Sequence, residues 1–391
     1  RYTMDGSIPT RTSREYLAPI VLATTTVVRV RSYVPGELPS PVLTRTYFID
    51  EAFDLPVFSI STDPDNLWDD QIGIYVDGTN GVIADDSVLP KNSNQSWERP
   101  AHIEFYESDD TPAFSQQMGL SIYGAFSRHF PQKSLSLIAR GKYGDDAIRH
   151  RLFLDKGNDR YKSFILRNGG NDWLTSMIDD PLMQTLVEGA MDVDVQDYRP
   201  AVLFLNGRYW GVHNIREKLN RHYAASNYGV DPDEIDIVEG DGLAKAGDAV
   251  HYRSTIDYLE THDLSRHEAY ERVGQLLDVV EYMNVQIALI YYGPSDNFFK
   301  NVKSWRPRTA AGRWRWFLYD TDHGFYNFRT NAVKLATDPQ AENRFGDISW
   351  GTLILRKLLE NHSFKDDFIQ RFAAHINYTF AVDRVVSVVD S

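Results

Sequence analysis

The stretch richest in chemistry is Asp296-Asn297-Phe298-Phe299-Lys300-Asn301, a carboxylate and a carboxamide five residues apart. A second stretch follows it, Trp314-Arg315-Trp316-Phe317-Leu318-Tyr319-Asp320-Thr321-Asp322-His323-Gly324-Phe325. It reads as an aromatic strand that delivers two carboxylates and then a glycine. Together these are the parts that phosphoryl transfer needs. One carboxylate positions the attacking hydroxyl, while another carboxylate and an amide oxygen hold the metal ions that bridge phosphate oxygens. Mg²⁺ takes one or two carboxylates and completes its shell with water and phosphate. The two-residue period of a strand puts Asp320 and Asp322 on one face, so the pair can act together. Asp and Asn are also ordinary loop residues, so the pattern needs support from elsewhere in the chain.

These loops must be held by longer elements. Ser265 and Glu268 read as a capping box that opens one amphipathic helix running to about residue 291, shortly before Asp296. Ser363 and Asp366 start another, ending near residue 378. Upstream, residues 103–106, 120–123 and 133–139 read as strands, and Pro181 after Asp179-Asp180 opens a helix over 181–188. Residues 201–205 and 209–215 flank Asn206-Gly207, a tight hairpin turn. Residues 24–33 and 42–48 read as strands separated by Pro-rich and Gly-containing turns. Trp305, Trp314 and Trp316 alternate as core strand residues do, and Asp231-Pro232-Asp233-Glu234 reads as a capped turn, not a calcium loop. The layout is a small β module over 1–49, a β-rich lobe over about 50–240 and a helical lobe over about 241–391.

Composition narrows the function further. The net charge is −14, which disfavours nucleic acid, whose binding rests on neutralised phosphates, but leaves room for a nucleotide at one basic patch. There are no cysteines, which removes disulfides, thiolate metal sites and cysteine nucleophiles and fits a bacterial secreted or cell-surface protein. No run of about 18 apolar residues occurs, so no membrane span is read. Arg1 begins inside a strand-like pattern and Val388-Val389-Asp390-Ser391 looks cut from a helix, so the chain is expected to be part of a longer protein.

Two resemblances add to this. Tyr2-Thr3-Met4-Asp5-Gly6-Ser7-Ile8-Pro9-Thr10, with Tyr16, Pro19-Ile20 and the Thr-rich strand, resembles the chitobiase/β-hexosaminidase C-terminal-type module. That resemblance covers nearly all of residues 1–48 and implies a fibronectin-III-like accessory β-sandwich. Further on, Gly124-Ala125-Phe126-Ser127-Arg128-His129-Phe130-Pro131-Gln132-Lys133-Ser134 resembles the G-x-x-S-R-x-x-P-K-K-S segment of the spore-coat CotH kinase family. Leu166-Arg167-Asn168-Gly169-Gly170-Asn171-Asp172-Trp173, the segment from Phe204 through Trp210-Gly211 to Arg216-Glu217-Lys218, and the two stretches above recur in the family's order, over roughly residues 56–380. The implied fold is α+β, an atypical protein-kinase-like two-lobed domain behind the N-terminal sandwich.

The resemblance implies roles as well. Lys133 would contact the nucleotide phosphates, with Gly124 and Arg128 near its turn and Glu217 at or supporting the nucleotide pocket. Asp296 would be the catalytic aspartate. Asn301 with Asp320 or Asp322 would bind Mg²⁺ or Mn²⁺; Asp320 is favoured slightly, while Asp322-His323-Gly324 matches the D-x-G order of ordinary kinases. Gln132 stands where the family often has a second basic residue, and Ile178-Asp179-Asp180-Pro181 lacks an expected basic one. If that helix supplies the partner of Lys133, Asp180 or Glu188 is the candidate.

The expected activity is transfer of the ATP γ-phosphate to a Ser or Thr hydroxyl of a protein. Adenylylation by the same ligands is a variant of it. The alternative is a non-catalytic binding scaffold of kinase-like fold, with surface or polysaccharide-associated partners.

Overall fold

The computed structural model describes residues 1–84, 87–294, 296–327, 329–342 and 351–390; Ser391, part of the C-terminal sequence above, lies outside them. The chain divides into two compact units, Arg1–Trp173 with Tyr198–Glu217, and Leu174–Asp197 with Lys218–Ser391. The first is the β-rich one and takes back a hairpin after the chain has visited the second.

In the first unit, β1 (Tyr2–Thr3), β2 (Thr26–Val30) and β3 (Leu43–Tyr47) form one antiparallel sheet. The expected two-sheet sandwich is corrected here: among the described residues 1–49 there is a single three-stranded sheet. The reason is its inward face. Val27, Arg29, Thr44 and Thr46 alternate inward, and that largely polar face meets β4 (Val57–Ser61) and β5 (Arg99–Tyr106) instead of a second sheet. Buried Glu104 takes the Thr46 N–H at 2.8 Å and the Thr46 hydroxyl at 2.7 Å, with Arg45 at 3.2 Å. A hydrogen bond to a buried carboxylate contributes about 2 kcal/mol. Thr46→Val keeps the shape and removes the hydroxyl, so the unfolding free energy should fall by that amount, read as a lower urea midpoint with an unchanged slope.

Behind this sheet stands a closed barrel. It adds α1 (Pro64–Trp68) between strands, then β6 (Pro112–Ile122), β7 (Leu135–Ile138), the small pair β8 (Ile148–Arg149) and β9 (Arg160–Tyr161), β10 (Ser163–Arg167), β11 (Tyr198–Leu205) and β12 (Arg208–Glu217). The order around the barrel is β10-β12-β11-β4-β5-β6-β7, and β7 closes it on β10; only β4 with β11 is parallel. Its interior is Phe58, Ile60, Ile103, Leu120, Leu137, Phe164 and Leu203. Asn206-Gly207 makes the expected two-residue turn between β11 and β12, both residues at positive φ.

The second unit is mainly helical: α2 (Asp179–Val187), α3 (Arg221–Tyr228), α4 (Val250–Thr261), α5 (His267–Leu276), α6 (Val279–Tyr292), α7 (Ala332–Thr337), α8 (Leu353–Leu358), α9 (His362–Asn377) and α10 (Val382–Asp390). They surround a sheet in the order β14 (Leu243–Ala246), β13 (Ile235–Glu239), β15 (Lys303–Pro307), β16 (Arg315–Trp316). Trp305, Trp314 and Trp316 are buried, as their alternation predicts. The single helix predicted from Ser265 to 291 is broken in two. Trp314 N–H donates to the Leu276 carbonyl and Asp278 N–H to the Trp314 carbonyl, both at 2.9 Å, so the backbone runs extended at Leu277. The capping box does not form either, because the Ser265 hydroxyl turns to Asp263. Among the described residues no helix is long and apolar enough to cross a membrane.

Candidate functional site

The second unit gathers the acidic residues. Helix α6 stops at Gly293 in the left-handed conformation, and after Pro294 the chain folds into the Asp296 turn. The Asp296 carbonyl accepts from the N–H groups of Phe299 and Lys300, each at 2.8 Å. This curls the loop so that the Asn301 amide donates to the Asp296 carboxylate at 3.3 Å. The two residues five apart are thus brought together, as their spacing suggested. Because Asn301 donates through nitrogen, its amide oxygen is not spent on that bond.

Asn297, buried beside Asp296, donates to the Tyr319 carbonyl at 2.9 Å. That bond joins the Asp296–Asn301 loop to the turn carrying Asp320 and Asp322. Asn297 thus ties the two loops together, a role that only its place next to Asp296 in the chain hints at.

Asp320 and Asp322 do not share a strand face, which corrects the two-residue argument. Strand β16 ends at Trp316, and Asp320 sits at φ +54°, a left-handed conformation that Asp tolerates better than most residues. The cause lies in α2. Buried Asp180 accepts the Thr321 N–H at 2.9 Å, the Thr321 hydroxyl at 3.1 Å and the Gln184 amide at 3.0 Å. Holding Thr321 this way turns the chain at that point. Gly324 N–H then closes on the Thr321 carbonyl at 2.7 Å, and Phe325 N–H on the Tyr292 carbonyl at 2.8 Å. Gly324 has no room for more: a Cβ there would lie 2.4 Å from Met183 Sδ. Of the two helix carboxylates proposed as partners of Lys133, Asp180 is therefore one that supports the Asp320–Asp322 turn.

The first unit holds Gly124, Arg128, Lys133 and Glu217. Gly124 follows β6 at φ +94°, where a side chain would be strained. The Arg128 guanidinium donates to the carbonyls of Gly124, Ser93 (2.9 Å) and Ile122 (3.4 Å), so it ties the loop down. Lys133 is buried just ahead of β7, and its ammonium donates to the carbonyls of Arg128 (2.5 Å) and Phe130 (3.1 Å). Burial pushes that ammonium down to about 8, with the Asp77 charge pulling the other way. Gln132, the departure from the family pattern, donates to the Val212 carbonyl at 2.8 Å and accepts from Trp173 Nε1 at 2.7 Å. A lysine has no acceptor with which to do the second. Asn168 clamps the same segment through Ser134 (2.7 Å) and the Gln132 carbonyl (2.6 Å).

Glu217 stands apart from that loop. It ends β12 opposite Phe164, at the far end of β10 from Asn168, and its buried carboxylate meets Lys156 at 2.5 Å. Lys156 was missed in the sequence because nothing near it in the chain marks a lysine of interest.

The donor set in the second unit is all oxygen: Asp296, Asn301, Asp320 and Asp322. Such donors suit a hard cation such as Mg²⁺ or Mn²⁺ and not a soft one. Among the described residues no three of His, Cys, Asp and Glu converge as a ready-made metal cage.

The comparisons with known proteins speak to the family. The profile described as Fn3 associated matches residues 1–47, and the one described as CotH kinase protein matches residues 120–391. A search of curated proteins finds no match to the chain. The CotH match takes in the barrel from late β6 onward and every residue of the acidic loops, and on that match the chain belongs to the CotH kinase protein family.

Proposed function

We propose that this protein is a divalent-metal-dependent kinase of two-lobed, protein-kinase-like architecture that transfers the ATP γ-phosphoryl group to a protein Ser or Thr hydroxyl, outside the cell. The observation that carries the reading is the bond from Asn297 to the Tyr319 carbonyl, which holds a hydrogen-bonded Asp–Asn loop against a turn bearing two more carboxylates. Asp296 orients the acceptor hydroxyl and takes up its proton. Asn301, through its amide oxygen, and Asp320 with Asp322 are the residues that would hold Mg²⁺ or Mn²⁺. The bound ion supplies neutralisation of the charge on the phosphate oxygens. Gly124 allows the turn after β6, Arg128 keeps it closed, and Lys133 offers the positive charge for the phosphates. Glu217, paired with Lys156, supports the strand end away from that loop.

The test is transfer of label from γ-labelled ATP, with Mg²⁺ or Mn²⁺, to a Ser-rich protein acceptor. Transfer supports the reading. No transfer, with no nucleotide-dependent rise in melting temperature, overturns it in favour of a binding scaffold. Label carried from the α-phosphate would instead mark adenylylation.

A pH dependence follows from Lys133. The ammonium loses its charge as pH rises through about 8. Its attraction for phosphate is therefore mostly present at pH 7 and mostly lost at pH 9. ATP affinity, read by displacement of a fluorescent nucleotide, should weaken roughly tenfold over that range. In Lys133→Met it should be weaker throughout and flat with pH.

A further inference from the structure

Glu281 lies near the start of α6 and is completely buried. Its carboxyl accepts the Trp316 N–H through both oxygens, at 3.0 and 3.1 Å. Trp316 is the last residue of β16, four residues before Asp320, and α6 leads at its other end to Asp296. One side chain therefore joins the two elements that end in the acidic loops. The elements are joined again at their far ends, through Phe325 with Tyr292 and through Asn297 with Tyr319.

The surroundings show why an acid stands here and how it is tolerated. Asp194, fully buried, fixes the same strand. It accepts Trp305 Nε1 at 2.6 Å and Arg315 at 3.0 Å, and its carbonyl accepts the Leu318 N–H at 2.8 Å. Arg315 also pairs with Asp192 at 2.7 Å and Asp278 at 3.2 Å. Three carboxylates thus already share this guanidinium, and a fourth charge among them would be repelled. Burial first, and then the Asp194 charge, push the Glu281 carboxyl well above the usual range. The geometry itself is that of an acceptor for the Trp316 N–H. Packing alone would be met by leucine; the position calls for an acceptor.

We propose that Glu281 is a positioning residue that fixes the spacing between the helix leading to Asp296 and the strand leading to Asp320 and Asp322. The inference rests on the kinase reading only for what those two ends do.

The test is hydrogen exchange by mass spectrometry on the full chain, comparing Glu281→Leu and Glu281→Gln with the parent. Glutamine keeps an acceptor oxygen and leucine does not. The leucine variant should speed exchange about tenfold in peptides covering 296–301 and 314–322, with α9 unchanged, and glutamine should restore parental rates. The half-saturating Mn²⁺ for transfer should rise in the leucine variant and return in the glutamine one. Parental exchange in both segments of the leucine variant overturns the proposal, and so does equal loosening by glutamine. Should the leucine variant not fold, Glu281→Asp takes its place: its shorter side chain should loosen both segments, and parental rates would overturn the idea. Exchange needs neither nucleotide nor turnover, so a parent chain that transfers no phosphate would sink the kinase reading and leave this result standing.

Discussion

Asp296→Ala should lower phosphate transfer by roughly 10³-fold while leaving the melting temperature within a few degrees of the parent. Asp296 lies in a loop whose curl is made by its own backbone carbonyl, and alanine keeps that carbonyl. The side-chain bond it gives up with Asn301 is a 3.3 Å contact, a long and weak one. The expected result is thus a large catalytic loss on an intact fold. A comparable activity with Asp296→Ala would remove this residue from the mechanism. Asp320→Asn makes a useful companion. Asparagine accepts the left-handed backbone at φ +54° and keeps the shape, but it removes the charge that a metal ion would meet. Its effect should appear as a raised Mn²⁺ requirement that added metal partly restores, whereas Asp296→Ala should not respond to metal.

The second large effect is expected at Asp180, which touches neither acceptor nor nucleotide in this scheme. Its Oδ1 serves three donors, two of them on Thr321, and both residues are almost completely buried. Asp180→Ala takes that acceptor from the Thr321 N–H and the Gln184 amide, and leaves the Thr321 hydroxyl only its 3.4 Å contact with the backbone carbonyl of residue 180. The cost is about 3 kcal/mol, seen as a fall of roughly 6–10 °C in melting temperature. Activity should drop with it, because the released Thr321 no longer dictates the turn between Asp320 and Asp322. Asp180→Asn should recover most of both, since an amide oxygen can still accept from Thr321. Loss of stability without loss of activity would show that the turn holds itself.

The sequence by itself determined the local features that depend on a few neighbouring residues. Asn206-Gly207 takes positive φ at both positions because little else can, and Gly124 does so for the same reason. Asp296 and Asn301 meet because a single turn spans five residues. The ordered family segments made the CotH membership legible before any fold was seen.

Tertiary structure decided the rest. The apolar period from 265 to 291 continues through Leu277, yet the helix breaks there, since the backbone of distant Trp314 bonds on either side of Leu277 and holds it extended. The alternation that seemed to pair Asp320 with Asp322 fails because Asp180, 141 residues earlier, captures Thr321 between them. A sandwich was expected over 1–49, but the inward polar face of β3 finds its partner in Glu104, 58 residues beyond Thr46. Lys156 and Glu281 carried no signal at all, because a buried ion pair and a buried acid are defined by what surrounds them. Steric preference and short loop closure act within a few residues and can be read in order along the chain. Hydrogen bonds between segments far apart depend on which groups burial has left without water, and that is known only once the chain has folded.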